Sequence, residues 1–356
     1  MNIPGHLYAT FCSPLTPTID RTRTATENTR KDHMPQPVVS VVIAAKNAEE
    51  TIGGSLTSLV NQNFAASELE VIVVNDGSTD DTAGVIADYS ARLNLIEIHN
   101  AESRGVSTAR NAALEASTGA NITYLDADDW YAPGHLRSLT DAITGLGVDF
   151  VKTNYLIVNG FNRKLRRAPC AEHNTALNPR DHILPHDAST MVDFPECWTG
   201  IYSRSMADRG LLEFNPSLRT CEDRPWTWRH HLEADSFAVV DTAGLCYRKG
   251  STTSLTAIFD ERQLDFIPAF RSVFAMLEAT PDNRDFEQKA VRNFLSILYF
   301  QIFNRGSSMS RTVREQLNLG AVNTLKNVGN DVIDLALTNY GERRLPVIEP
   351  IVRRAR

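Results

Sequence analysis

Two β-branched runs constrain the fold of this chain more than any other feature: Val38-Val-Ser-Val-Val-Ile-Ala44 and Leu69-Glu-Val-Ile-Val-Val74. Valine and isoleucine lose little side-chain freedom on a pleated surface, so such runs favour strands. Neither run alternates apolar with polar residues, which marks a strand covered on both faces. Between and after them the apolar spacing turns helical. Helices are predicted at residues 49–60, 82–92 and 106–117, with further strands at Leu95–Ile98 and Ile122–Leu125. Strands alternating with helices of this length build βαβ units and a parallel sheet. The expected fold class is α/β.

Such sheets bind ligands at the carboxyl ends of their strands. Three predicted strand ends carry polar groups: Ala45-Lys46-Asn47, Asn75-Asp76-Gly77-Ser78 and Asp126-Ala127-Asp128-Asp129. In a parallel sheet all three converge on one edge. The third is the most demanding, because two carboxylates about 4 Å apart repel by roughly 4 kcal/mol near a protein surface. A divalent cation relieves that repulsion; an Asp-rich turn capping the next helix is the simpler alternative. Taken alone, the cluster supports both equally. Asp76 is placed to accept hydrogen bonds from a ligand, Gly77 permits a sharp turn, and Ser78 or Thr79 can cap the next helix. Arg110 and Asn111 lie on the helix before the acidic strand. There Arg110 can meet a phosphate, or pair with Asp126 or Asp129.

Composition narrows the functional classes. A formal net charge of −7 over 356 residues argues against bulk nucleic-acid binding. Cys12, Cys170, Cys197, Cys221 and Cys246 show no paired metal spacing and read as reduced packing thiols of a cytosolic protein. No stretch nears the ~18 apolar residues of a spanning helix, and the first residues show no secretory pattern. The expected location is cytoplasmic, with peripheral contact at the inner face of a membrane left open. Arg343, Arg344, Arg353, Arg354 and Arg356 read first as a solvated tail, with an anionic lipid or acceptor as the alternative.

Residues 1–36, rich in Thr, Arg and Pro, suit a disordered tail. A helix is predicted at His135–Leu146, then a strand pair around Asp149–Phe161 turning at Asn159-Gly160. Residues 163–190 read as loop, and two-strand character returns at Phe237–Arg248. Residues 259–356 read as a C-terminal helical region, with amphipathic spacing at Phe266, Phe270, Phe274 and Leu277.

Five elements in order carry a resemblance: Val-Ser-Val-Val-Ile-Ala-Ala-Lys-Asn47; Val-Val-Asn-Asp-Gly-Ser-Thr-Asp-Asp-Thr82; Gly105 followed by Ala109-Arg110-Asn111; Leu125-Asp-Ala-Asp-Asp129; and Cys221-Glu-Asp-Arg-Pro225. Together they resemble the family-2 glycosyltransferases of GT-A fold, over about residues 37–255. The resemblance implies a Rossmann-like, mostly parallel sheet in a domain over residues 37–258. Residues 37–154 would bind the nucleotide sugar and 155–258 the acceptor. It implies inverting, hexosyltransferase-type transfer from a nucleotide-diphosphate sugar, most often a UDP-sugar, with Mn²⁺ or Mg²⁺. The acceptor would be a glycan, lipid-linked or polymeric, and the setting a bacterial-type cell-surface polysaccharide or glycoconjugate.

By motif position, Asp76 would read uracil, and Ala45, Asn47 and Glu49 would line the nucleoside pocket. Asp126, with Ala127, would contact the ribose or the metal shell, Asp128 would bind the ion, and Asp129 would hold Arg110. Asp223 would be the general base. Arg110 and Arg248 would serve donor binding, Arg248 and Lys249 at the start of a loop that closes over the diphosphate. Glu222 and Trp198 are acceptor-side candidates, although aromatic residues, Trp226 and Trp228 included, are more often core. His230 and His231 read as helix-surface residues. Two departures bear on the donor. Ala44-Ala45-Lys46-Asn47 replaces the family's Pro-x-Tyr-Asn, offering Lys46 to phosphate instead of an aromatic ring to the base, and Ser103 replaces an Asn. The rivals are a nucleotidyltransferase, whose Gly-rich activating loop residues 44–53 do not supply, and a catalytically silent sugar-nucleotide-binding or scaffold protein.

Overall fold

The two β-branched runs become β1 (Val39–Ala45) and β2 (Leu69–Asp76), buried along their length except for Ala44. The computed structural model describes residues 36–250, 260–281 and 283–356. The predicted tail therefore lies, Gln36 apart, outside the described residues, as do residues 251–259 of the predicted closing loop. β1 pairs in parallel with β2 on one side and with β4 (Asn121–Tyr124) on the other, and β2 pairs in parallel with β3 (Asn94–Asn100). Helices α1 (Ile52–Val60), α2 (Thr82–Ala87) and α3 (Val106–Ala116) make the crossovers. α2 is shorter than predicted, because its last turn tightens into three-residue bonds from Tyr89 N to Ile86 O and from Ser90 N to Ala87 O.

Past β4 the strands change direction. β5 (Trp130–Tyr131) precedes α4 (His135–Leu146), then come β6 (Phe150–Asn159), β7 (Asn162–Arg166) and β8 (Gly200–Ser203). After α5 (Arg204–Asp208) and α6 (Asp223–Glu233) runs β9 (Phe237–Arg248). The strand order is β3-β2-β1-β4-β8-β6-β9-β5, with β7 paired to β6. β8 is antiparallel to both β4 and β6, while β9 is parallel to β6 and antiparallel to β5. Residues 237–248 thus form one strand rather than two. The β6–β9 register slips between Thr153 and Tyr155, beside the polar Asp241-Thr242.

The sheet and its flanking helices share one hydrophobic core. A second core gathers α7 (Phe266–Glu278), α8 (Arg284–Phe300), α9 (Arg311–Leu325), α10 (Asn330–Leu337) and α11 (Leu345–Ala355). Phe266 and Phe270 are buried there, as their spacing predicts. Trp228 and Leu232 of α6 pack into this second core, while Trp226 of the same helix packs into the first. α6 is therefore covered on two sides. That corrects the expectation for His230 and His231, which are 2% and 1% exposed. Their rings bond to the carbonyls of Leu211 and Thr227, both at 2.9 Å. Burial holds His230 well below the ordinary imidazole range and pushes His231 down to about 4, so both are neutral.

Candidate active site

The parallel register sets Ala45 beside Asn75, and Leu125 N donates to Val42 O just past β4. The ends of β1, β2 and β4 therefore meet on one edge, as expected. The loops after β1 and β2 are laced together. Asn47, in the left-handed region at φ 49°, accepts from Thr79 N at 2.8 Å and donates its own N–H to Ser78 Oγ at 3.0 Å. Glu49 N donates to Asp80 Oδ2 at 3.1 Å, and Asp81 N donates back to Glu49 Oε2 at 2.8 Å. Asn47 and Glu49 thus hold the shape of the edge, with Lys46 exposed beside them.

Asp76, 4% exposed, accepts from Asn100 Nδ2 (2.8 Å), Ser103 Oγ (2.7 Å), Arg104 N (2.9 Å) and Gly105 N (2.9 Å). Burial alone would raise this carboxyl, but the four donors outweigh it and hold the group below the usual carboxylate range. Asp76 anchors the loop that enters α3. A further N–H would have to displace one of these donors, since a carboxylate offers about four lone-pair sites. Gly77 makes that anchoring possible: its φ is +70°, and a Cβ there would lie 2.5 Å from Ser103 N.

Arg110 organises the acidic side. Its Nη2 donates to Asp126 Oδ1 and its Nη1 to Glu222 Oε1, each at 2.8 Å, and its side chain is only 6% exposed. One guanidinium thus joins the end of β4 to the entry of α6. Of the partners open to Arg110, Asp126 is the one it takes; Glu222 is a second, unforeseen partner in place of Asp129, and the guanidinium is committed to carboxylates rather than offered to a phosphate. Asp129, fully buried, instead accepts from Arg248 N at 2.7 Å through Oδ1, while its Oδ2 has no hydrogen-bond partner. Arg248 also donates from Nε to Asp128 O at 2.9 Å and lies over the Trp130 ring. Ala127 O accepts from Ser55 Oγ at 3.1 Å. Burial and then the Asp126 charge push the Asp128 carboxyl up to about 6, and the same two causes raise Asp129 well above its ordinary value.

Asp223 is the first residue of α6, entered through Cys221 at φ 58°. A non-glycine residue in that region is a local strain of about 1–3 kcal/mol, of the kind that clusters at functional sites. Asp223 is half-buried, and its carboxylate takes no hydrogen bond or ion pair from the described residues. Glu222 differs sharply: it is 9% exposed and bound to Arg110, and burial pushes its carboxyl up to about 7 against the pull of that arginine. This corrects its acceptor-side assignment, since its charge is spent inside. Trp198 is corrected likewise. It is 7% exposed, stacked on Tyr247 at 5.2 Å and edge-on to Tyr155, so its faces are not open to a sugar.

Sequence reasoning missed a group beside Asp223. Lys152 of β6 is 3% exposed and donates from Nζ to Glu196 O at 2.7 Å. Burial pushes its ammonium down to about 8, against the raising charges of Glu196 and Asp223. Tyr155 Oη donates to Glu196 Oε1 at 3.2 Å, and Glu196 Oε2 is buried without a partner. A lysine inside the apolar run Phe150-Val-Lys-Thr153 was the signal available.

Burial and then the Asp126 charge raise both Asp128 and Asp129, and Asp129 Oδ2 is buried without a partner; an oxygen-preferring divalent cation would relieve that repulsion, although the three carboxylates are not gathered within ligand distance of one another.

Residues 40–213 match the family model for glycosyl transferase family 2. The glycosyltransferase EpsJ of Bacillus subtilis is 28% identical over 62% of this chain and 64% of its own length. The succinoglycan biosynthesis protein ExoU of Rhizobium meliloti is 39% identical over 51% of this chain and 48% of its own. The chain thus spans less than two thirds of either relative's length. The crystal structure of S. aureus TarS 1–349 in complex with UDP-GlcNAc superposes with a TM-score of 0.73 at 22% identity, covering 89% of this chain and 86% of that one. The fold is accordingly the GT-A fold, and residues 40–213 form a domain of glycosyl transferase family 2.

Proposed function

We propose that this chain is an inverting, metal-dependent glycosyltransferase that moves a sugar from a UDP-sugar to an acceptor hydroxyl during synthesis of a cell-surface polysaccharide. The observation that carries this is Arg110, which ties Asp126, two residues from Asp128, to Glu222, the neighbour of Asp223, by bonds of 2.8 Å. One buried cation holds the donor-side acids and the candidate base in fixed relation.

Asp223 has an unspent carboxylate next to Glu222, and it acts as the general base. The acceptor oxygen attacks the anomeric carbon and forms the new C–O bond, and its proton passes to Asp223. The old anomeric C–O bond breaks, and the nucleoside diphosphate leaves with the electron pair; attack opposite the leaving group inverts the configuration. Asp128, with Asp126, would hold Mn²⁺ or Mg²⁺, which when bound offsets the charge gathering on the diphosphate. Arg248, braced on Asp128 O and Trp130, stands beside that diphosphate. Asn47, Glu49 and Ala45 border the nucleoside, and Ser103 is the partner Asp76 would exchange for a uracil N–H. The donor choice is supported by the UDP-GlcNAc held by the TarS structure, and the setting by the succinoglycan role named for ExoU.

A panel of nucleotide sugars tests this by donor hydrolysis, with and without Mn²⁺ and beside Asp128→Ala. Hydrolysis of one UDP-sugar that needs the metal and is lost in Asp128→Ala is the expected result. Turnover indifferent to chelator and to that substitution refutes the mechanism.

A further inference from the structure

A surface of the C-terminal helices is apolar and cationic at once. Immediately after α8 the chain makes a π-helical turn, Gln301–Arg305. π turns are rare and gather at functional positions. This one presents Phe303 at 63% exposure, next to Phe300 at 45%. The rings are ordered: Tyr299 stacks on Phe303 at 5.3 Å, Arg344 lies over Tyr299 at 5.7 Å, and Arg305 lies over Phe300 at 5.2 Å. Beside them opens a cavity of about 370 Å³, lined by Ile302, Leu317, Val347 and Ile351 and bordered by Arg314 and Arg354.

The charge of this region opposes that of the rest. Residues 299–356 carry nine Lys and Arg against five Asp and Glu, in a chain whose formal net charge is −7. Arg311, Arg353 and Arg356 are paired with Glu315, Glu349 and Asp334. Arg314 donates to Gly306 O. Arg314, Arg344 and Arg354 have no carboxylate partner among the described residues.

We propose that this surface docks on an anionic lipid bilayer, with Phe300 and Phe303 entering the headgroup region and Arg344, Arg354 and Arg314 meeting lipid phosphates. An anionic polymer would use the arginines and leave two phenylalanines in water. A protein groove would cover the phenylalanines and bury unpaired guanidinium groups at a cost. The bilayer interface accepts both kinds of group together. No helix of the described residues is long and apolar enough to cross a membrane, so the contact lies on the surface. The inference is independent of the sugar-transfer mechanism.

Vesicle flotation with the full chain tests it, using phosphatidylcholine vesicles with and without phosphatidylglycerol. The chain should float with the anionic vesicles at ~0.1 M salt, stay behind with the neutral ones, and detach toward 1 M, where screening shortens to ~3 Å. Arg344→Glu with Arg354→Glu should weaken binding at least about 25-fold, from about fivefold per arginine. Phe300→Ser with Phe303→Ser should weaken it as well. Both double variants should keep the wild-type melting curve and donor hydrolysis. Failure to float with anionic vesicles, or flotation unchanged in both variants, overturns the proposal. So does binding that soluble polyphosphate abolishes while the phenylalanine variant floats like wild type, which would mark a polymer site.

Discussion

Replacing Arg110 with methionine keeps much of the side-chain volume and removes the charge that joins two acidic motifs. Removing one partner of a buried ion pair costs 3–5 kcal/mol, because the other charge is left buried and unpaired. Glu222 bears most of that cost, since its side chain is 11% exposed against 32% for Asp126. Asp126 can turn to water and adds under about 1 kcal/mol. The expected loss is therefore about 3 kcal/mol, a fall in Tm of about 4 °C for a chain this long. Its pH dependence identifies the cause. Glu222 sits above the ordinary glutamate value, at about 7. Its stabilising contribution is then full below its unfolded value and lost as pH rises through about 7. Without Arg110 the folded value climbs further, so the variant's deficit should grow above that point and shrink below it. Thermal and denaturant unfolding at about pH 6 and about pH 8 measure this. A deficit under about 1 kcal/mol at the higher pH, or one equal at both, refutes the account of Arg110 as the tie.

Asp76→Asn should cost about 2 kcal/mol, since bonds to a charged group are worth about 1.5–3 kcal/mol. The Asp76 carboxyl lies below its ordinary value, so its contribution is present above the unfolded value and lost as pH falls through the folded one. Wild type and Asp76→Asn should therefore converge in acid, and parallel acid-unfolding curves would contradict this. Gly77→Ala should destabilise by at least about 1–2 kcal/mol from the left-handed backbone alone, with more from the 2.5 Å approach to Ser103 N, as chemical denaturation would read. Mn²⁺ affinity, followed by titration calorimetry, should fall about tenfold per pH unit below about 6 as protons compete for Asp128. Flat affinity across that range would move the ion away from Asp128.

The first four strands were legible because each is an apolar run whose partners lie nearby in order, so local composition and βαβ logic suffice. β8 was not, since Gly200–Ser203 is only four residues long and earns strand geometry from pairing with β4 and β6. β9 read as two strands because the bulge opposite Asn154 breaks its pattern. The site's motifs were visible as motifs, yet the second partner of Arg110 was not. Local spacing offered Asp126 and Asp129, while Glu222 lies 112 residues away in sequence and reaches Arg110 only through the fold. His230 and His231 misled because two adjacent polar rings signal a surface, and only the second helical core covers them. Trp198 misled in the opposite sense, as an aromatic residue whose stacking partner is Tyr247 rather than a sugar.

The central claim is that the unspent carboxylate of Asp223 is the base. It is tested most directly by comparing wild type with Asp223→Asn on the UDP-sugar that the panel selects, measuring donor Kd and turnover on the same samples. The account predicts a Kd within a few-fold of wild type and a rate lower by about 10²–10⁴, the usual worth of a positioned base. Turnover within tenfold of wild type at unchanged Kd would contradict it.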